Sequence, residues 1–310
     1  MRPYGVTGGG DKRLRGYAEI VVSSLILGTA ATLIQVSTMP ASLLVVLRMG
    51  LAGAVLAVVF FLTGGPAEVR RSGRAGRIWL VGFVVAAEMF FYYLSVRLSN
   101  VTVAVSLEYL APVWVVIAAP LVLHTRRQRI DVVATLIALG GMAFILAPAL
   151  ASAAAGGSVL GLVSGLLTGL CFAAAMILIK TIGPGVRGST LTLFYCLGSV
   201  ILLTPLAVWQ TATSHYHLTS TDLWIVLVSG LVYTALCFSL YSDGLRYVRV
   251  EHAGILGYLE PVTAPLWALL IIGEVPSWTA VAGGALIVAA GVLVILLGRS
   301  EVEALPEPLT

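Results

Sequence analysis

Charge is what this chain has least of. Only 10% of its 310 residues are Asp, Glu, Lys or Arg, whereas 59% are hydrophobic and the mean hydropathy is +1.02. Too little polar surface remains to coat a water-soluble globule of this length. Cysteine is equally sparse: Cys171, Cys196 and Cys237 stand alone in apolar runs without a Cys-x-x-Cys spacing, so neither a disulfide framework nor a cysteine metal site is indicated. The His215-x-His217 pair lies in a polar stretch with only Asp222 nearby and reads as an exposed loop before a metal site. His124 and His252 fall near the ends of apolar runs, which leaves Ser164 without a base for serine-hydrolase chemistry. No phosphate-cradling glycine loop is present, so no nucleotide domain within the chain is available to power work with ATP. No cofactor, metal or enzymatic activity is implied.

What the sequence has in abundance is apolar runs of about 20 residues, the length that a hydrocarbon core of ~30 Å demands of a helix. Ten can be marked, at about 17–37, 41–63, 78–98, 101–122, 131–150, 159–182, 189–209, 222–247, 250–272 and 277–298. The connecting segments are short and rich in Gly, Pro, Ser and Thr. The run after the 1–16 leader is of full membrane length with no small-residue cleavage site at its end, so the first helix is expected to stay. The basic stretch from Thr63 to Gly76 is expected to be a loop, and the charged, Pro-containing tail from Glu301 to Pro308 to be disordered.

Lys and Arg are retained on the cytoplasmic side of a membrane. With the N-terminus inside, the inner segments collect sixteen of the eighteen basic residues, including Lys12, Arg13, Arg70, Arg126, Arg127, Arg187, Arg246, Arg249 and Arg299; only Arg48 and Arg97 fall outside that set. Both termini are therefore expected in the cytoplasm. Membrane orientation accounts for the net charge of +4 without a nucleic-acid partner.

The chain also repeats itself. At an offset of 149 residues, Tyr92, Arg97, Ala104, Leu107, Tyr109, Leu110 and Pro112 coincide with Tyr241, Arg246, Ala253, Leu256, Tyr258, Leu259 and Pro261. At an offset of 141, Val22, Ser23, Leu25 and Gly28 coincide with Val163, Ser164, Leu166 and Gly169. Two five-helix halves follow, at 17–150 and 159–298, flanked by cytoplasmic tails 1–16 and 299–310. Five is odd, so the second half must enter the bilayer inverted, an arrangement common among secondary transporters, whose sites lie near the midplane where the halves meet. The fold expected is an all-α membrane protein of ten transmembrane helices in two inverted repeats.

Leu259-Glu260-Pro261, then Gly273-Glu274, then Gly283 and Gly291 resemble the signature of the EamA family of the drug/metabolite transporter superfamily. Leu47-Arg48, Tyr109-Leu110-Ala111-Pro112 and Gly140-Gly141 look like the partner repeat, and the similarity spans residues 17–298. Thr125-Arg126 departs from the acidic residue expected where the second half has Glu274. The resemblance implies an exporter of amino acids, related metabolites or drugs, with nucleotide-sugar and sugar-phosphate carriers as distant cousins.

A charge at the centre of a membrane helix costs about 2.5 to 3.5 kcal/mol, so intramembrane ionisable residues are where chemistry is sought. Arg48, Glu88, Glu108 and Glu260 qualify. Glu88 precedes Tyr92 by four residues and shares its helix face. Glu88 aligns with Cys237 and Glu108 with Gly257, so these two carboxylates belong to the first half alone. Such acids suit a substrate ammonium group or a transported proton. The opposing reading for Glu108 is a buried pair with Arg48 that fixes packing, and for Glu260 a cap for amides freed by Pro261. Pro112 and Pro261 are expected to kink their helices and widen a cavity. Tyr92, Tyr109, Tyr241, Tyr258 and Trp267 are candidate walls for a ligand through apolar and cation–π contact, or else packing residues. Trp79, Trp209, Trp224 and Trp278 read as interfacial anchors. Gly161, Gly165 and Gly169 read as an internal packing face before a dimer seam.

The expectation is a secondary transporter of the inner membrane, functional as a monomer, that exports amino acids or related metabolites by alternating access, with protons as candidate coupling ion. A carrier of phosphorylated or sugar-linked metabolites is the alternative; it would need a cationic pocket, which only Arg48 and Lys180 could begin. A non-transporting membrane enzyme or scaffold is a third reading, disfavoured by the repeat.

Overall fold

The computed structural model describes residues 9–30, 33, 37, 39–99, 101–125, 128–153, 158–183, 185–214, 216–273 and 275–297. Asn100, Arg126, Arg127, His215, Glu274, the first part of the leader and the tail from residue 298 lie outside the described residues. Every described element is helical. In chain order they are α1 (Gly9–Leu27), α2 (Ala41–Leu62), α3 (Gly65–Ser72), α4 (Ala75–Leu98), α5 (Val101–Glu108), α6 (Ala111–Val122), α7 (Arg129–Ala153), α8 (Val159–Ile182), α9 (Gly188–Ser214) and α10 (Ser220–Val228). A π-helical stretch (Ser229–Phe238) follows, then α11 (Ser239–Leu245), α12 (Val250–Gly257), α13 (Leu259–Ile272) and α14 (Trp278–Leu297).

Eight stretches among the described residues are long and apolar enough to cross a membrane: 41–62, 75–98, 103–122, 129–147, 159–182, 188–214, 220–245 and 278–297. Their outward faces are hydrocarbon. Leu62, Val159, Trp278 and Leu296 are each more than 70% exposed, an arrangement that water would penalise and lipid does not. Trp79, Trp209 and Trp224 are exposed as well. The main core draws on α1, α4, α6, α8, α9, α11 and α12, with Ile20, Ile78, Val115, Met176, Leu191, Leu245 and Val250 buried in it. A second core joins α7, α12 and α14 through Ala138, Met142, Ile255, Ile287 and Val294.

Several elements depart from the sequence reading. The stretch between Thr63 and Gly76 contains a helix, α3. Gly64 and Gly73 bracket it in the left-handed region (φ 76° and 62°), and Pro66 occupies its first turn, where a missing N–H costs nothing. Glu68 anchors α3 by accepting from Arg187 Nε at 2.6 Å and Thr190 Oγ1 at 3.2 Å. α1 starts at Gly9, well before residue 17. The run 101–122 is broken at Tyr109-Leu110, and the run 250–272 at Tyr258. Pro112 and Pro261 therefore sit in the first turns of α6 and α13, so each kink takes the form of an interruption just ahead of its proline.

Close helix crossings rest on glycine. A side chain at Gly141 in α7 would place its Cβ 2.5 Å from the Gly283 carbonyl oxygen of α14, and the reverse substitution meets the Gly141 carbonyl. Gly161, Gly165 and Gly169 face Leu98 and Leu107, so this series packs α8 against α4 and α5 inside the chain.

Candidate functional site

The ionisable residues of the apolar runs converge. Arg48 comes from α2, Glu88 and Tyr92 from successive turns of α4, Glu108 from the end of α5, and Glu260 from the first turn of α13. Arg48 lies within electrostatic reach of Glu88, Tyr92 and Glu260. Glu88 is within reach of Glu108, and Glu108 of Glu260. Tyr109, in the break between α5 and α6, senses Glu260, Glu108, Tyr92 and Tyr258.

Local structure explains the convergence. The breaks at Tyr109-Leu110 and Tyr258 put Glu108 and Glu260 at helix ends deep in the bundle, one just before a break and the other just after. The π-helical stretch packs on α2 at the Arg48 backbone, where a Cβ added to Gly230 would lie 3.0 Å from the Arg48 carbonyl oxygen. Thr234 Oγ1 donates to the Ser229 carbonyl five residues back at 2.9 Å, matching the wider winding. Such widened turns recur at functional sites. Gly28, just beyond α1, lets the chain pass against Glu260: an added Cβ would meet the Glu260 carbonyl oxygen at 2.9 Å and clash with Thr263.

The four charged groups are close but unbonded. No ion pair within 4 Å joins Arg48 to an acid among the described residues; its guanidinium approaches Met89 Sδ at 3.8 Å, and its Nε is buried without a partner. None of the three carboxylates, nor the Tyr92 hydroxyl, hydrogen-bonds to a described residue. Glu88 is only 4% exposed. The buried Glu108–Arg48 pair is thus not formed, and Glu260 caps no amide among the described residues. A buried polar group left without a partner costs about 1 to 3 kcal/mol, and a charged one more, so groups in this condition call for a complement from outside the chain.

The aromatic candidates separate into two sets. Tyr92 lies within electrostatic reach of all three acids and its hydroxyl bonds to no described residue. Tyr258 donates to the Tyr109 carbonyl oxygen, and their rings meet edge to face at 5.8 Å. Tyr241 donates to the Ala253 carbonyl oxygen at 3.2 Å, a tie between α11 and α12. Trp267 lies two turns beyond Glu260 and donates from Nε1 to the Leu25 carbonyl oxygen at 3.2 Å. These last three hydroxyl and indole groups are spent on holding helices together. Lys180 sits two residues from the end of α8, apart from the α2 position of Arg48. Among the described residues no group of three His, Cys, Asp or Glu side chains is placed to hold a metal.

The EamA-like transporter family description matches residues 14–147 and, a second time, residues 159–297. The chain belongs to this family. As an EamA-like transporter it is 30% identical over 294 residues to an uncharacterized transporter of Archaeoglobus fulgidus, an alignment covering 90% of this chain and 95% of the relative. It is 23% identical over 307 residues to the uncharacterized inner membrane transporter YicL of Salmonella typhimurium, covering 94% and 98%. A solved crystal structure shares its fold with a TM-score of 0.76 at 20% identity, covering 94% of this chain and 98% of that one. The chain is a multi-pass membrane transporter.

One cluster escaped the sequence reading of this EamA-like transporter. Tyr17, Asp131, Arg249, Glu251 and His252 form a buried polar network away from the central acids. Asp131, Arg249, Glu251 and His252 lie near helix starts, where charges read as ordinary flanking residues, and the contacts that join Tyr17 to His252 and Asp131 to Arg249 and His252 each span more than a hundred positions. Only the clustering of ionisable residues at 249–252 signalled it.

Proposed function

We propose that this transporter exports amino acids or related small metabolites by alternating access around the Arg48–Glu88–Glu108–Glu260 cluster. The unbonded state of that cluster carries the reading. A zwitterion offers an ammonium group to the carboxylates and a carboxylate to Arg48, and so supplies both complements that the chain withholds. Tyr92 adds a ring face to which an ammonium group is attracted by about 0.5 to 2 kcal/mol. A phosphorylated substrate would meet three acids and one guanidinium, a poor balance for a dianion. In this reading the ten helices form two repeats, 17–150 and 159–298, with the second inverted. The tails 1–16 and 299–310 face the cytoplasm, and the site lies at the midplane of the inner membrane. The double match to one family description supports the two halves.

Counterflow into proteoliposomes against a panel of labelled amino acids, amines and sugar phosphates is the direct test. Exchange of at least one amino acid or near relative is expected; exchange confined to phosphorylated sugars overturns the export reading and installs the alternative.

Topology has its own test. His124 and Ser277, both exposed, lie in the loops that follow the two equivalent proline-led helices α6 and α13. In a background lacking the native cysteines, an impermeant maleimide applied to intact cells is expected to label Ser277→Cys and to leave His124→Cys unlabelled until the membrane is opened. Equal labelling of both from outside removes the inversion.

A further inference from the structure

At the end of the bundle where α1, α7 and α12 begin, six side chains form a directed chain of hydrogen bonds. Arg13 donates from Nε and Nη2 to the Tyr17 hydroxyl at 3.4 and 3.3 Å. The Tyr17 oxygen lies 2.6 Å from His252 Nδ1, and His252 Nε2 lies 3.1 Å from Asp131 Oδ1. Asp131 Oδ2 and Glu251 Oε1 each accept from Arg249 Nη2 at 2.9 Å. Tyr17, Asp131, Arg249, Glu251 and His252 are all buried, His252 completely.

The ends of this chain decide its direction. Guanidinium groups only donate. Tyr17 therefore receives from Arg13 and has its own proton left to give to Nδ1, while the Asp131 carboxylate receives from both Arg249 and Nε2. His252 is then neutral with its proton on Nε2, and the two guanidiniums balance the two carboxylates. Of the other elements packed on α12, α6 and α14 carry no charge, α8 has only Lys180 and α13 only Glu260; α1 adds Asp11, Lys12, Arg15 and Glu19, the last two paired with each other at 2.7 Å, and α7 adds Arg129. A second proton on His252 would turn Nδ1 into a donor facing Tyr17. The phenol would then receive from two cations and its own hydrogen would lose its acceptor in a buried site.

We propose that His252 is a proton-binding site that latches α1 to α7 and α12 when neutral and releases them when charged. A recess of about 10 Å³ lined by Gln128, Asp131 and Glu251, among others, adjoins the network; that is room for about one water molecule and an entry for the proton. The repeat does not duplicate these residues. At the repeat offset of 149, Arg249, Glu251 and His252 coincide with Asn100, Thr102 and Val103, which bear no charge.

Leu14 and Val132 are exposed on α1 and α7 beside the latch partners Tyr17 and Asp131. With Cys171, Cys196 and Cys237 replaced by Ala, spin labels on Leu14→Cys and Val132→Cys report the separation of these helices in lipid nanodiscs without any substrate. A short, narrow distance distribution is expected at pH ~8 and a second, longer population at pH ~5.5, below the ordinary imidazole value of about 6.5 that His252 regains once the latch opens. His252→Gln keeps both bonds, accepting through Oε1 and donating through Nε2, and should hold the short distance at both pH values. Tyr17→Phe keeps the ring but not the bond, and should show the longer population already at pH ~8. A distribution that ignores pH in the parent protein, or one that lengthens equally in His252→Gln, overturns the proposal. Because no substrate is used, failure here is separable from failure of the export reading.

Discussion

Replacing Glu88 by Gln should reduce transport by roughly 30- to 100-fold at equal protein level, while Glu260→Gln should reduce it less. Glu88 is the most enclosed of the charged cluster at 4% exposure, lies within reach of both Arg48 and Glu108, and bonds to no described residue. Truncating one partner of a buried charge interaction typically costs about 2 to 5 kcal/mol, and each 1.4 kcal/mol is a factor of ten. Glutamine is nearly isosteric with glutamate, so folding is expected to survive, as size-exclusion profiles would reveal. Initial rates of exchange in proteoliposomes supply the measurement, with Glu88→Asp as a charge-keeping control expected to recover part of the rate. Full activity in Glu88→Gln would remove the residue from the mechanism.

The second large effect is on stability. Gly283→Leu is expected to lower the melting temperature sharply or to prevent recovery of folded protein, since even its Cβ would collide with the Gly141 carbonyl oxygen across the α7–α14 crossing. Overpacking of this kind costs about 1 to 3 kcal/mol and occasionally more. Gly140→Ala, on the facing helix α7 next to Gly141 but with nothing within 4 Å of an added Cβ, should be neutral or mildly stabilising because alanine is the better helix former. Thermal unfolding in one detergent compares the two. A Gly283→Leu protein as stable as its parent would show that the helices can part freely at this point.

How far the sequence could be read depended on whether the signal was local. Arg48, Glu88, Glu108 and Glu260 stood out because ionisable groups inside apolar runs are conspicuous one at a time, and helical spacing put Glu88 and Tyr92 on one face without further information. Their failure to pair could not be foreseen, because it depends on distances between α2, α4, α5 and α13. Tyr241 and Tyr258 looked equivalent to Tyr92 and Tyr109 by repeat, yet their hydroxyls go to backbone carbonyls, which only the approach of neighbouring segments reveals. The interruptions at Tyr109-Leu110 and Tyr258 were hidden because hydropathy does not fall across them. The π-helical stretch was hidden for the same reason: its residues are as apolar as those of an α-helix. Charges close to run ends were assigned to orientation, which is why the Tyr17–His252–Asp131 network was missed.

The unpaired state of the central acids bears on leakage. A carrier that cycles empty dissipates the gradient that drives it, and something must make the empty turn slower than the loaded one. If the two mouths open in turn, an empty passage must close protein around three carboxylates with only one guanidinium to answer them, and enclosing uncompensated charge costs several kcal/mol per ion. Cargo bearing a positive group, or a proton taken up by one of the acids, removes that penalty for the turn in which it is carried. Left unsatisfied by its own chain, the cluster would then serve as a brake on idle cycling, released only by something worth moving.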